Sequence, residues 1–330
     1  MRNSIFTILL LAVFTVSCGQ GKKAEQFKAL PFPEIIPPAM MSDPQDLARH
    51  LAGHYWDRFT DTSCLYPSDS VLVNGVDKGE VEQKFADWTY ILDMVSFKDA
   101  ETAVSRLYSK ALACEQADTS SGVFEFFTEM AYKYFYDPNS PLRNEDLYNA
   151  YVRRLAGYEG LTPEMRGKYE YYAKMTSLNR IGSVATDFRF SDRYGKIHTL
   201  HGIKAPLTIL FFSNPGCNAC LEIINVLKDE PAISSMIDDG TLAVLNIYID
   251  EDLQGWRDYM PIYPEKWYNG FDPDLVIRTE NLYNVRAIPS LYLLDKEKLQ
   301  SPGTCITCTM EGTRPLISEI EALVTPTFFP

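Results

Sequence analysis

Hydrophobic positions divide the chain into two parts with different periodicities. Between residues 42 and 179, apolar side chains recur every three or four positions, as at Leu47, Leu51, Tyr55 and Phe59. This spacing is typical of amphipathic helices, because residues three and four apart share one helix face. We therefore predict an all-α domain over residues 42–179. Beyond a first helix that starts near Pro44, helices are expected over residues 81–94, 98–114, 121–135, 144–156 and 163–178.

From residue 180 to residue 330 the pattern favours strands interspersed with helices. Alternating residues on either side of Tyr194-Gly195 predict a β-hairpin, and the apolar runs 207–212 and 242–249 are typical of buried parallel strands. Helices are also expected over residues 217–228, 280–283 and 315–324, and strands over 290–294 and 305–310. This order predicts an α/β domain with a mixed sheet and helices on both faces, so the whole chain is α+β.

The N-terminus has the pattern of an export signal. Arg2 precedes an apolar run over residues 5–16, which is shorter than the roughly 20 residues a membrane-spanning helix needs. Small residues before the lone Cys18 resemble a bacterial lipoprotein signal, in which the cysteine is acylated; a plain secretory signal is the alternative. We predict a signal peptide over 1–18, a proline-rich tether over 19–41, and a periplasmic protein lipid-anchored to a membrane, expected to be the outer membrane.

Charge and cysteine content narrow the functional classes. The formal net charge of −13 disfavours a nucleic-acid partner, because such binding needs basic residues that neutralise phosphates. Apart from Cys18 there are six cysteines, four of them in the pairs Cys217/Cys220 and Cys305/Cys308. A zinc site made by both pairs is disfavoured by the 84 residues between them, so no metal or other cofactor is expected. Whether Cys64 and Cys114 pair with each other is left open.

The first pair has the chemistry of a thiol–disulfide centre. A buried strand followed by a turn and a helix places Cys217 at a helix N-terminus, where the dipole favours the thiolate. Cys220 lies three residues further on, on the same helix face, and can attack a mixed disulfide formed on Cys217. We predict Cys217 as the attacking thiol and Cys220 as the buried resolving thiol. A purely structural disulfide is the alternative.

Four segments carry a family resemblance: 181–188, the G-K-x-x-x-L sequence at 195–200, the redox pair, and Ala287-Ile288-Pro289-Ser290-Leu291. From residue 180 onward the chain resembles the thioredoxin-like TlpA/ResA group of thiol–disulfide oxidoreductases. Residues 54–59 and 136–143 resemble a poorly characterised helical module that precedes such domains in exported lipoproteins.

The resemblance implies a thioredoxin fold in which Pro289 is cis and packs against the sulfurs. It also implies that Ile288 pairs with a substrate chain, and it places Gly216 in the substrate-binding region where the group usually has tryptophan. Two acidic residues common in such proteins are replaced by Phe211 and Ile223. Glu222, one position before Ile223, is the candidate for proton handling, although it is turned about 100° around the helix.

The function implied is an exported oxidoreductase that reduces disulfides of client proteins. Its partners would be clients with disulfides or thiols and a membrane or periplasmic electron donor. The alternative is a non-enzymatic protein that uses the thioredoxin fold and the helical module as a recognition surface.

Overall fold

The structure is a computed structural model that describes residues 28–299, apart from 38, 40 and 181, and the backbone of 306–307. The predictions for Cys18, for the first part of the tether, for Cys305 and Cys308 and for a helix over 315–324 lie outside the described residues.

The N-terminal half is helical, as predicted. Its helices are α1 (Pro44–His54), α2 (Lys78–Asp93), α3 (Phe97–Ala117), α4 (Val123–Phe135), α5 (Glu145–Ala156) and α6 (Pro163–Thr176). Polar side chains cap the starts of most of them; Asp43, for example, accepts hydrogen bonds from the amides of Gln45 and Asp46. A short hairpin that the sequence pattern did not indicate, β1 (Leu72–Val73) and β2 (Val76–Asp77), lies between α1 and α2.

Aromatic side chains fill the core of this helical half. Trp56, Phe59, Phe85 and Trp88 are all buried, which confirms their prediction as core residues. The Trp56 and Phe127 rings meet edge to face with their centroids 4.7 Å apart. The one polar group of Trp88 is satisfied, because its Nε1 donates to the carbonyl of Ala52 at 2.8 Å. Burial of each such ring stabilises the fold by roughly 2–3 kcal/mol.

The C-terminal half is built on one mixed sheet, again as predicted. Its strands are β3 (Arg189–Asp192), β4 (Ile197–Thr199), β5 (Leu207–Phe212), β6 (Leu242–Tyr248), β7 (Tyr268–Phe271), β8 (Ser290–Leu294) and β9 (Ile306–Thr307). They lie in the order β4-β3-β7-β6-β5-β8-β9. Strands β5, β6 and β7 are parallel to one another, and the other neighbours pair antiparallel.

Helices cover both faces of the sheet. They are α7 (Asn218–Asp229), α8 (Pro231–Asp238), α9 (Leu253–Asp258) and α10 (Val276–Thr279). Alternate residues of β5 point to opposite faces: Ile209 and Phe211 pack in the cluster of α7, whereas Leu210 and Phe212 pack with Ile277 of α10. Among the helices of the described residues, none is long and apolar enough to cross a membrane.

One prediction about this half was wrong in detail, and three elements were not predicted. The short helix expected at 280–283 lies at Val276–Thr279 instead, and strand β7 and helices α8 and α9 were missed. Strand β7 has only four residues, and two of them, Asn269 and Gly270, have low strand propensity. Gly270 is nevertheless required there, because a Cβ would lie 2.6 Å from the Phe190 ring and 2.8 Å from the Ser191 carbonyl oxygen.

Candidate redox site

Cys217 and Cys220 form a disulfide at the start of α7, with their Cα atoms 5.2 Å apart. The chain leaves β5 at Phe212 and turns through Gly216, whose φ of +74° is a conformation that glycine adopts without a steric penalty. Cys217 then caps the helix, since its Sγ accepts the amide of Cys220 at 3.2 Å. The backbone turn and the helix start therefore place both sulfurs at the carboxyl end of β5.

The two cysteines differ in accessibility. Cys217 is partly exposed, whereas Cys220 is 1% exposed and belongs to the apolar cluster that includes Ile223 and Ile224 of α7. An incoming group can therefore reach Cys217, and Cys220 reacts only with what is already bound there. In the reduced protein, the N-terminus of α7 favours the thiolate of Cys217.

The peptide bond between Ile288 and Pro289 is cis, as the resemblance implied. Pro289 is buried and directly precedes β8, whose Ser290 is the register partner of Phe212 in β5. Ile288 and Cys217 both pack against the apolar cluster that contains Cys220. The structure thus brings Gly216, the cysteine pair, Ile288 and Pro289 to the same end of the sheet.

The acidic candidate lies elsewhere on the helix. Glu222 is exposed and makes no hydrogen bond or ion pair with the described residues, and its role in proton handling stays a prediction. Phe211 and Ile223, which stand where related proteins have carboxylates, are fully buried apolar side chains.

A buried polar network that the sequence analysis missed lies on the same face of the sheet as α7. The Ser213 hydroxyl donates to Asn246 Oδ1 at 2.5 Å, and Asn246 Nδ2 donates to Asn269 Oδ1 at 3.1 Å. Asn246 points to this face because its neighbours Val244 and Tyr248 pack there. The signal was present in the sequence: Asn246 is the one polar residue in the run Leu242–Ile249.

Polar contacts also hold the turn before the cysteines. Asn214 Nδ2 donates to Asp250 Oδ2 at 2.7 Å, and Asp250 pairs with Arg278. Because Asp250 follows β6, these contacts tie the turn after β5 to the end of the neighbouring strand. Tyr263 lies in the same apolar cluster as Cys220, and burial raises the pKa of its hydroxyl.

Cys64 and Cys114 are both free, which answers the question that the sequence left open. Cys64 is exposed, whereas Cys114 is buried in the helical core, and burial raises the pKa of the Cys114 thiol to about 11. In the part of the chain that the structure describes, no group of three or more His, Cys, Asp or Glu side chains could hold a metal ion.

Comparisons with known proteins agree with this architecture. Residues 15–179 match the family described as "Domain of unknown function (DUF5106)". The crystal structure of a thioredoxin-like protein from Bacteroides caccae is 34% identical to this chain, with a TM-score of 0.74. That alignment covers 88% of this chain and 99% of the other, so it includes both halves. The chain therefore belongs to the thioredoxin-like proteins, and through its helical half to the DUF5106 family.

A further solved structure, the C-terminal domain of an uncharacterized protein from Bacteroides fragilis, is 39% identical. It covers 42% of this chain and 98% of the other, with a TM-score of 0.39. At the level of the family shown by the Bacteroides caccae structure, a thioredoxin-like fold supports thiol–disulfide redox activity.

The matches to curated proteins are much shorter than the match to the Bacteroides caccae structure. DNA repair protein RadA of Mycolicibacterium smegmatis is 50% identical over 38 residues, and that of Bacillus subtilis is 49% identical over 41 residues. Each match covers 12% of this chain and only 8–9% of the RadA chain. Matches of this length do not extend the activity of RadA to this protein.

Proposed function

We propose that this protein is an exported thiol–disulfide oxidoreductase that reduces disulfides of client proteins. The observation that carries the proposal is the Cys217–Cys220 disulfide at the start of α7, with a partly exposed first cysteine and a buried second one. A structural disulfide needs no such asymmetry, whereas a two-step exchange needs one accessible and one protected sulfur.

In the reduced protein, the Cys217 thiolate attacks one sulfur of the client disulfide. A new sulfur–sulfur bond forms between protein and client, and the other client sulfur leaves as a thiolate that takes up a proton. The Cys220 thiolate then attacks Cys217 Sγ and releases the second client thiolate, which is also protonated. Two electrons have passed to the client, and the protein is left with the Cys217–Cys220 disulfide.

The segment before β8 is the proposed client-binding element. Ile288 lies outside the β5–β8 ladder, whose pairing ends at Ser290, so a client main chain could pair with the Ile288 backbone next to the sulfurs. Pro289 has no N–H, so its burial next to this segment leaves no backbone donor without a partner. Gly216 is exposed beside Cys217, and its lack of a side chain leaves room for the client.

A separate dithiol must restore the reduced state, and we propose a membrane or periplasmic electron donor for this step. Reduction is preferred over oxidation of clients only by analogy with the TlpA/ResA group. In this scheme Glu222 would exchange protons with solvent near the start of α7. The location follows from the export signal: Cys18 would carry the lipid, and the tether would hold the folded part away from the periplasmic face of the outer membrane. The tether predicted over 19–41 is shortened at its C-terminal end, because Leu30, Phe32 and Ile35 pack against the helical core.

The redox proposal is tested by insulin reduction with Cys217→Ser and Cys220→Ser variants, with Cys64→Ser as the matched control. We expect both active-site variants to lose turnover and the control to keep it. Cys220→Ser should also accumulate a mixed disulfide with insulin, because the resolving thiol is missing. Unchanged turnover in Cys217→Ser would contradict the proposal. A measured reduction potential of the pair then decides the direction of electron flow.

Membrane anchoring needs its own test. We expect the full-length chain, expressed in a Gram-negative host fed radiolabelled palmitate, to incorporate label and to sediment with membranes. The Cys18→Ser variant should do neither. Export without label in the unaltered protein would instead indicate a plain secretory signal.

A further inference from the structure

The helical half contacts the segment that leads into Pro289. Asn284 Nδ2 donates to Glu145 Oε2 at 2.5 Å, and Arg286 donates to the carbonyl of Tyr136. The Arg286 guanidinium also lies over the Tyr136 ring, 3.7 Å from its centroid. We call these four residues, Tyr136, Glu145, Asn284 and Arg286, the interdomain contact.

The interdomain contact contains a buried carboxyl group, that of Glu145. The Glu145 side chain is 9% exposed and lies 3.8 Å from Arg143, whose side chain is 3% exposed. Burial raises the pKa of Glu145, while Arg143, Asn284 and Arg286 act in the opposite direction. Keeping such groups out of water is costly and adds little net stability compared with apolar packing. A role in holding a defined arrangement is therefore a better explanation of the contact than stability alone.

The position of the contact in the chain indicates what it holds. Residues 284–289 have no helix or strand of their own, and Arg286 is two residues before Ile288. A segment without a regular ladder takes its conformation from side-chain contacts. Here two of those contacts come from α5 and from the end of α4, in the helical half.

We propose that the helical domain positions the client-binding segment of the redox site, with Glu145 and Arg286 as positioning residues. This rests on the proposed function, since the segment matters for affinity only if Ile288 pairs with client chains. It gives the DUF5106 domain a role in substrate binding without any chemistry of its own. Loss of either residue should weaken client binding and leave the disulfide exchange at Cys217 intact.

The test compares KM and kcat for insulin reduction in the full chain. Arg286→Gln removes a charged hydrogen bond and a cation–π contact, and should raise KM about tenfold with kcat changed less than about twofold. Arg286→Lys keeps the charge above Tyr136 and should restore part of the affinity. Glu145→Gln should raise KM severalfold.

Arg180→Gln is the matched control. Arg180 bridges Glu101 and Asp146 of the helical half at 2.9 and 3.0 Å, so it is a charged contact of the same kind that does not touch residues 284–289. Its KM should stay within about twofold of the unaltered protein. An equal rise in KM for Arg180→Gln and Arg286→Gln would overturn the proposal, as would an unchanged KM in Arg286→Gln.

Hydrogen exchange provides a readout that does not depend on activity. Amides of residues 284–291 should exchange faster in Arg286→Gln and Glu145→Gln than in Arg180→Gln, whether or not insulin is a substrate. Equal exchange in all variants would refute the positioning role by itself. Failure of the unaltered protein to reduce insulin, with the exchange difference present, would instead refute the proposed function and leave the positioning role standing.

Discussion

Substitution of Asn246 tests how much the buried polar network contributes to the free energy of unfolding. It is 1% exposed and joins Ser213 to Asn269 on the face of the sheet that α7 covers. In Asn246→Leu the number and branching of side-chain heavy atoms are kept, but the Ser213 hydroxyl and the Asn269 side-chain carbonyl, both buried, lose Asn246 as their hydrogen-bond partner. Each unpaired group costs about 1–3 kcal/mol, and the leucine recovers roughly 1–2 kcal/mol through apolar burial. We expect the free energy of unfolding to fall by about 3 kcal/mol.

Native-state hydrogen exchange of β5 and β6 peptides is the suitable assay, because it reports the opening of the sheet separately from the helical half. The matched control is the double variant Asn246→Leu, Ser213→Ala, which removes one of the two unpaired groups. It should recover about 1–2 kcal/mol of the loss. If the single variant is as stable as the unaltered protein, or if the second substitution recovers nothing, unpaired polar groups are not the cause.

Two further predictions concern packing and thiol reactivity. Gly270→Ala should lower the stability of the sheet by about 2 kcal/mol, because the new Cβ would clash with Phe190 and the Ser191 carbonyl. The control is Gly167→Ala in α6, which has open space around it and should raise stability by up to about 1 kcal/mol. Equal effects of the two substitutions on thermal unfolding would contradict the close approach at β7. In the oxidised native protein at pH 8, iodoacetamide should alkylate the exposed Cys64 within minutes and leave Cys114 unmodified. Cys114 is protected because it is buried and because a pKa of about 11 leaves only about 0.1% of its thiol as thiolate. Peptide mass spectrometry measures both, and labelling of Cys114 without unfolding would contradict its placement in the core.

The redox pair could be located from sequence because its chemistry has a local signature. Two cysteines three residues apart, after a largely apolar run of six residues and a glycine turn, specify a strand, a helix start and a reactive sulfur together. The cis form of the Ile288–Pro289 bond came only from the family resemblance, since nothing local to residues 284–291 distinguishes a cis proline from a trans one.

Other parts of the site could not be predicted from the sequence, because they have no local pattern. The partners of Asn246 come from β7 and from the turn after β5, and β7 itself is too short and too polar to be recognised as a strand. The contact of Glu145 with Asn284 joins residues 139 positions apart, and neither residue type is distinctive at its place. In the sequence, Glu145 has the pattern of an ordinary acidic residue in the first turn of a helix, and acidic residues are common at that position on helix surfaces.

By itself, the sequence determined the helical and sheet halves, the two central strands and the cysteine pair, because each depends on the spacing of neighbouring side chains. Only the tertiary structure decided where β7 enters the sheet, that Cys64 and Cys114 remain unpaired, and how the helical half holds the segment before Pro289. The physical reason is that burial and pairing depend on which distant residues meet. A hydrogen bond such as that from Asn284 to Glu145 has no periodicity along the chain.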